Sequence, residues 1–160
     1  MEFDPSKYPT GVAEQMEPLV ARVLAGNPSP YTFTGTQTYV VGNGTDRAVI
    51  DPGPAIDDHI EAILVAVGDA KITAIMCTHT HRDHSPAAIP LAERTGAEIV
   101  GCAPLVIETN LPRSDEACDK SYYPDRILSD GETVSGDGWT IEAVATPGHT
   151  SNHLCLAVQE

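Results

Sequence analysis

The sequence predicts an α/β (or α+β) fold built as one domain over residues 1–160. Short apolar runs rich in β-branched residues alternate with segments of helical periodicity, which favours mixed helix and sheet. Hydrophobic residues make up 41% of the chain and charged residues 20%, a composition typical of folded globular proteins. After an N-terminal helix, the predicted elements begin in the order β-β-α-β-α and continue with a run of strands.

That first element is predicted as an N-terminal helical extension, residues 1–26. Apolar residues recur at helical spacing over residues 12–25, and the pattern ends at Gly26. Pro18 interrupts it, so we expect a kink or a late helix start. The first residues show no secretory signal, and no apolar stretch approaches the length of a membrane span. We therefore expect a cytoplasmic protein without membrane contact.

Eight later segments are predicted as strands, because β-branched and apolar residues cluster there between turn residues. They cover residues 39–41, 48–50, 72–78, 98–101, 126–128, 132–134, 139–145 and 153–158. The first two are expected to form a β-hairpin. Residues 103–125 are polar and rich in proline, which predicts a long loop with one helical turn.

Two helices are predicted between these strands. Asp57 or Asp58 could cap the first helix, and His59 at its start is expected to be a surface residue. Ser85 is the predicted N-cap of the second helix. Two prolines in its first turns predict that this helix begins irregularly.

A run of potential metal ligands directly follows the buried strand 72–78. It reads His79-Thr80-His81-Arg82-Asp83-His84. Imidazole nitrogens and carboxylate oxygens both bind divalent metals. One metal could take His79 and His81, whose rings can point to the same side, and a second could take Asp83 and His84. Each metal needs further ligands, and His149 is the natural contributor because it also follows a predicted strand.

Two other features narrow the function classes. The four cysteines form no Cys-x-x-Cys pair, so we expect buried free thiols rather than a cysteine zinc site. The formal net charge of −14 argues against non-specific binding to nucleic acid.

The ligand motif and its flanking turns resemble the metallo-β-lactamase fold superfamily. The matching turns are Asp51-Pro52-Gly53 before the motif and Thr146-Pro147-Gly148-His149-Thr150 after it. Residues 26–39 resemble the LACTB2-like branch more narrowly, and glyoxalase II-like thioesterases are the nearest rival group. The resemblance implies an αββα sandwich.

The resemblance also implies two zinc ions, with iron or manganese as alternative metals. One zinc would be bound by His79, His81 and His149, and the other by Asp83 and His84, of which Asp83 is also the catalytic candidate. Asp51 would support the ligand loop without binding metal, and we expect a similar or structural role for His153.

The implied activity is a metal-dependent hydrolase that uses metal-bound hydroxide, since zinc lowers the pKa of bound water to about 7. The substrate would be an ester, thioester, amide or phosphodiester, in a small molecule or in RNA. A mono-iron sulfur dioxygenase shares a similar motif. The alternative from another class is a non-catalytic metal-binding or assembly module.

The resemblance further implies a bridging aspartate and another metal-binding histidine beyond the Pro-Gly-His turn. Residues 150–160 contain no aspartate, and His153 lies too close to His149 for that role. We therefore expect this chain to be truncated on the C-terminal side, with an incomplete sandwich. The apolar surface exposed by truncation would favour a homodimer.

Overall fold

The computed structural model describes residues 7–105 and 117–159, which form two β-sheets and two helices. The first strands are β1 (Ala13–Glu17), β2 (Val20–Leu24), β3 (Gln37–Val41), β4 (Asp46–Ile50) and β5 (Lys71–Cys77). The later strands are β6 (Glu98–Gly101), β7 (Arg126–Ile127), β8 (Thr133–Gly136), β9 (Trp139–Ala145) and β10 (Leu154–Gln159). The helices are α1 (Asp57–Val67) and α2 (Ala88–Thr95).

The larger sheet has seven strands in the sequential order β1 to β7. Strands β1 to β4 pair antiparallel, and β4 to β7 pair parallel. The connections from β4 to β5 and from β5 to β6 pass through α1 and α2, and right-handed crossovers in one direction place both helices on one face. The carboxyl ends of β4 and β5 meet at one edge of this sheet, and both continue there into polar turns.

The smaller sheet has three antiparallel strands in the order β10-β9-β8. Its residues Val134, Ile141 and Leu154 belong to the same buried core as the larger sheet. Trp139 is buried, and its indole Nε1 donates to Asp46 Oδ1 on β4 at 2.8 Å. One apolar core therefore holds the two sheets together.

The predicted α/β class is confirmed, as are the hairpin at 39–50 and the later strands. The two helices cover one face of the larger sheet, and no helix in residues 7–105 or 117–159 covers the smaller one. Part of the predicted long loop, residues 106–116, lies outside the described residues. Within the described ranges, neither helix has the length and hydropathy that crossing a bilayer requires.

The predicted N-terminal helix is wrong. Over residues 12–25 the chain forms the antiparallel hairpin of β1 and β2, and β2 pairs on with β3. The apolar residues of the supposed helical stripe are not one buried face, because Val12 and Met16 are exposed while Val23 is buried. Pro18 lies in the turn, where its missing N–H costs nothing, and pairing with β3 outweighs helical propensity.

Both predicted helix caps are also wrong. Helix α1 has Ile56 at its N-cap without a side-chain bond, and Asp57 and Asp58 fall inside the first turn, where the helix dipole favours them. Helix α2 starts at Ala88, later than predicted and two residues after Pro86, and Pro90 lies in its first turn. Ser85 instead donates its hydroxyl to Asp119 Oδ2 at 2.8 Å.

For two residues the predicted burial is wrong. His59 is buried, because the first turn of α1 points it at Thr38 on β3. Cys155 is exposed, because outward-facing and inward-facing residues alternate along β10. The other three cysteines are buried and outside any disulfide in the described residues, as predicted.

Candidate metal centre

The predicted ligands follow the carboxyl end of β5. We call residues 78–87 the ligand loop. Asp51, at the end of the neighbouring strand β4, is 7% exposed and has a left-handed φ of 47°. Its backbone N–H donates to Met76 O at 2.8 Å, which keeps the turn after β4 against β5. The parallel pairing of the two strands therefore brings the Asp51 carboxylate beneath the ligand loop.

The Asp51 carboxylate accepts hydrogen bonds from two residues of that loop. Oδ1 accepts from the Thr78 backbone N–H at 2.8 Å, and Oδ2 accepts from the Thr78 hydroxyl at 2.7 Å. Oδ2 also pairs with His84 Nδ1 at 2.9 Å. Since these donors occupy the carboxylate, Asp51 holds the loop in place.

These bonds decide where the proton of His79 lies. The Thr78 hydroxyl donates to Asp51, so toward His79 Nδ1, 2.9 Å away, its oxygen can only accept. The proton is therefore on Nδ1, and Nε2 carries a lone pair. Nε2 is buried and has no hydrogen-bond partner among the described residues. Burial, followed by the neighbouring His84, lowers the pKa of His79 to about 3, so the ring is neutral.

His84 has the opposite charge preference. Burial alone would lower its pKa, but hydrogen bonds to Asp51 and Asp83 raise it to about 9. Its Nε2 faces Asp83 Oδ2 at 3.4 Å. The hydrogen bond to His84 in turn lowers the pKa of Asp83, so this carboxylate is ionised.

His149 comes from the smaller sheet. We call residues 146–153, between β9 and β10, the His149 loop. His149 Nε2 lies 3.1 Å from His81 Nδ1, so imidazoles from the two loops converge as predicted. The ring centroid of His79 is 4.8 Å from that of His81 and 5.1 Å from that of His149. Burial, followed by His149, lowers the pKa of His81.

Two groups of side chains in the described ranges have the spacing of a metal site. One contains His79, His81 and His149, and the other contains Asp51, His79 and His84, with ligand atoms within 4.8 Å of one another. The Asp51 oxygens of the second group are already hydrogen-bonded, whereas Asp83 is half-buried beside His84 Nε2. We therefore regard Asp83 as the carboxylate available to a cation near His84.

His153 lies at the edge of this cluster. Its ring centroid is 5.1 Å from that of His79 and 6.2 Å from that of His149. Its Nδ1 is 2.9 Å from Thr146 Oγ1, so this contact links the two ends of the His149 loop. Its position fits the predicted supporting role, which stays a prediction.

The two loops are joined by residues that the sequence analysis did not single out. The Leu154 backbone N–H donates to Thr78 O at 2.9 Å. Asn152 Nδ2 donates to Ala103 O at 2.7 Å and to Thr80 Oγ1 at 3.3 Å. The only sequence signal was position, because Thr78 precedes the candidate ligand His79 and Asn152 precedes His153, a predicted supporting residue.

The cluster opens into a cavity of about 770 Å³. Its lining includes four ligand candidates, His81, Asp83, His84 and His149. Residues of the segment before β3 also line the cavity, and Tyr31 in this segment is 98% exposed. Arg82 is also in the lining, and its Nε donates to Cys118 O at 3.3 Å. The candidate metal centre is therefore accessible from solvent.

Comparison with known proteins identifies the family of this chain. The sequence model of the metallo-beta-lactamase superfamily matches residues 31–160. An atrochrysone carboxyl ACP thioesterase from Aspergillus chevalieri is 38% identical over 153 residues, 92% of this chain and 44% of that protein. A beta-lactamase-like protein 2 homolog from Caenorhabditis elegans is 33% identical over 150 residues, 92% of this chain and 48% of that protein. The chain thus spans a little under half the length of these relatives.

A solved metallo-beta-lactamase from Cronobacter sakazakii has the same fold. It superposes with a TM-score of 0.73 at 19% identity, over 92% of this chain and 59% of that one. At this identity the likeness concerns the fold alone.

Proposed function

Because the chain belongs to the metallo-beta-lactamase superfamily, we propose that it forms the ligand-bearing part of a metal-dependent hydrolase. The observation that carries this proposal is the buried Nε2 of His79. It bears a lone pair, has no partner among the described residues, and lies in a neutral ring beside two further imidazoles. A buried polar atom without a partner is costly, and a cation would satisfy it.

The donor set fits divalent metal. Three imidazoles suit zinc, and a mixed histidine and carboxylate pair suits zinc, iron or manganese. We propose that His79, His81 and His149 hold one ion, and that Asp83 and His84 contribute to a second. We favour zinc for both.

Such ions supply Lewis acid chemistry for the bond that is cleaved and lower the pKa of a coordinated water. The residues of this chain orient the site. Thr78 keeps the His79 proton on Nδ1. Asp51 keeps a proton on His84 Nδ1, the ring nitrogen that it contacts. The Asp83 carboxylate, ionised beside His84, faces the cavity and can hold a proton at Oδ2 during the reaction.

For the substrate we propose a thioester or ester of a small molecule. Relatives of 33% to 38% identity include proteins named as ACP thioesterases. The cavity of about 770 Å³ has the size of a small-molecule site. The net charge of −14 makes RNA a weaker candidate. The free thiols suit a reducing compartment, and we propose the cytoplasm.

The test combines metal content with turnover. The metal-free chain is reloaded with zinc, bound metal is counted by elemental analysis, and hydrolysis of an S-acyl N-acetylcysteamine thioester is followed by thiol release. We expect zinc binding and turnover in the wild type and loss of both in His81→Ala. Glu93→Gln, an exposed carboxylate on α2, is the matched control and should behave as wild type.

The ligand count favours one other candidate, a non-catalytic metal-binding module. The described residues offer three imidazoles to one ion but only Asp83 and His84 to a second. Zinc binding without turnover of esters or thioesters would support this module and contradict the hydrolase. Failure to bind zinc, iron or manganese would contradict both.

A further inference from the structure

His59 is a buried histidine that lies outside the metal centre. It sits in the first turn of α1, is 3% exposed, and lies against Gly53 in the turn after β4. Its Nε2 is 2.8 Å from Thr38 Oγ1, and Thr38 is fully buried on β3. Its other ring nitrogen, Nδ1, is buried without a hydrogen-bond partner among the described residues, so the hydrogen bond at Nε2 is the one that orients the ring.

The proton positions in this pair follow from the hydrogen bonds. The Thr38 hydroxyl donates to the backbone carbonyl of Asp51 at 2.7 Å. Its oxygen must then accept from His59, so His59 is protonated on Nε2. The chain of bonds runs from His59 through Thr38 to the Asp51 backbone. Thus α1 and β3 together hold the residue whose carboxylate binds His84.

The turn that receives these bonds is conformationally unusual. Asp51 has a φ of 47° and Gly53 a φ of 83°, both in the left-handed region that costs a side-chain residue energy. The Gly53 N–H donates to His84 O at 2.8 Å. A Cβ on Gly53 would lie 3.2 Å from His59 Nε2. The turn therefore contacts both the His84 backbone and the His59 ring.

We propose that His59 and Thr38 are positioning residues for His84, and so for the second cation near Asp83. The inference rests on the proposed function for the cation but not for the orientation of His84. Without the Thr38 hydroxyl, the Asp51 carbonyl loses its donor and His59 Nε2–H loses its acceptor. The left-handed turn then relaxes, and the Asp51 carboxylate no longer fixes His84 Nδ1.

The experiment uses Thr38→Val, which removes the hydroxyl at nearly constant shape, and Thr38→Ser, which restores it. Zinc affinities are measured in competition with a chromophoric chelator. We expect Thr38→Val to weaken the second zinc by about tenfold or more, the usual cost of losing a residue that supports a metal ligand. The first zinc should change by less, and Thr38→Ser should restore wild-type affinity. His59→Leu should act as Thr38→Val does.

A second readout needs no metal. In the metal-free protein, the ¹⁵N and ¹H signals of the His84 imidazole report its bond to Asp51. We expect a slowly exchanging Nδ1–H in the wild type and in Thr38→Ser, and loss of this signal in Thr38→Val. Circular dichroism identifies variants that remain folded, and His59→Gln, which keeps an N–H donor for Thr38, should retain the signal that His59→Leu loses.

The outcomes are distinguishable. A folded Thr38→Val variant with the wild-type His84 signal and wild-type zinc affinities overturns the inference. Equal weakening of both zinc ions, without rescue by serine, also overturns it, because it indicates general loosening. If the wild type binds no metal, the proposed function fails, and the imidazole signals still decide whether Thr38 and His59 position His84.

Discussion

The ligand loop and the His149 loop bring imidazoles to the same point, but they are held differently. Asp51 fixes the ligand loop through three hydrogen bonds, and His79 is almost fully buried. His149 is exposed, and its imidazole contacts the ligand loop through His81. One half of the candidate centre is thus built into the larger sheet, whereas the other half is brought to it by the smaller sheet.

Because of this difference, we expect the stability of the fold and the affinity for metal to depend on different residues. A residue that fixes the ligand loop stabilises the folded state whether or not a metal is bound, because its hydrogen bonds are within the protein. A residue on the exposed loop contributes mainly to the metal. Four measurements test this separation, taken in order of their expected effect on the free energy of unfolding of the metal-free chain.

The largest effect is expected from Asp51→Ala. It leaves the Thr78 N–H, the Thr78 hydroxyl and His84 Nδ1–H without their acceptor, so the chain should lose about 3 kcal/mol of stability or more. Urea unfolding followed by the fluorescence of Trp139, the sole tryptophan, measures this. Asp51→Asn, which keeps one acceptor oxygen, should lose less.

Asp69→Asn is the control for that measurement, because Asp69 is an exposed carboxylate after α1. It should change stability by no more than about 0.5 kcal/mol. If Asp51→Ala were equally mild, the ligand loop would not depend on Asp51, and the contrast between the two loops would disappear.

A smaller effect is expected from Asn152→Ala, which removes two side-chain hydrogen bonds of the His149 loop, one of them to the ligand loop. The amide donates to Ala103 O and Thr80 Oγ1, so its loss should cost about 1 kcal/mol and weaken the zinc bound through His149. Thermal unfolding and chelator competition measure the two effects. Ser151→Ala, at the exposed neighbouring position, should leave both unchanged. Wild-type zinc affinity in Asn152→Ala would mean that the His149 loop needs no such support.

The pH dependence of the free energy of unfolding should show the lowered pKa of buried His59. Burial lowers its pKa below 6.5, opposed by a hydrogen bond to the Pro52 backbone. The unfolded chain therefore takes up a proton near pH 6.5 that the folded chain does not, so stability is present above that pH and falls as the pH drops below it.

Comparison with His59→Gln isolates this contribution from those of His79 and His84. Urea unfolding of the metal-free chain between about pH 7.5 and pH 5 should show a shallower loss of stability in the variant. Parallel curves for the two proteins would refute the burial of an uncharged His59.

The smallest effect on stability is expected from His149→Ala. The exposed ring should contribute no more than about 0.5 kcal/mol to the metal-free chain. Its removal should nevertheless weaken the first zinc by at least about tenfold, since losing a mere supporting residue already costs that much. A stability loss near that of Asp51→Ala would show that the His149 loop contributes as much to the free energy of unfolding as the ligand loop does.

The sequence allowed the convergence of the two loops to be predicted because the spacing of the ligands is local and the loops follow recognisable strands. The strands 72–78 and 139–145 have clear apolar patterns that are confirmed at β5 and β9. By contrast, the stretch over residues 12–25 has a helical pattern, and its pairing with β3 depends on residues far along the chain. Long-range pairing is not encoded in local spacing.

The residues behind the site could not be predicted for the same reason. His59 and Thr38 are 21 positions apart, and the resemblance over residues 26–39 assigned no role to Thr38. Asn152 is recognisable only once the two sheets are docked, because its acceptors, Ala103 and Thr80, come from separate segments. Local patterns predicted the ligands, whereas tertiary packing determines what supports them.

The direction of the Thr78 hydroxyl has a consequence for binding stoichiometry. Because its hydrogen points to Asp51, His79 keeps its own proton on Nδ1 and offers a bare Nε2 to the interior. An arriving cation would therefore displace no proton from this ring at neutral pH. Calorimetry in buffers of different ionisation enthalpy would then attribute any released protons to other ligands, and His84 would be the principal source.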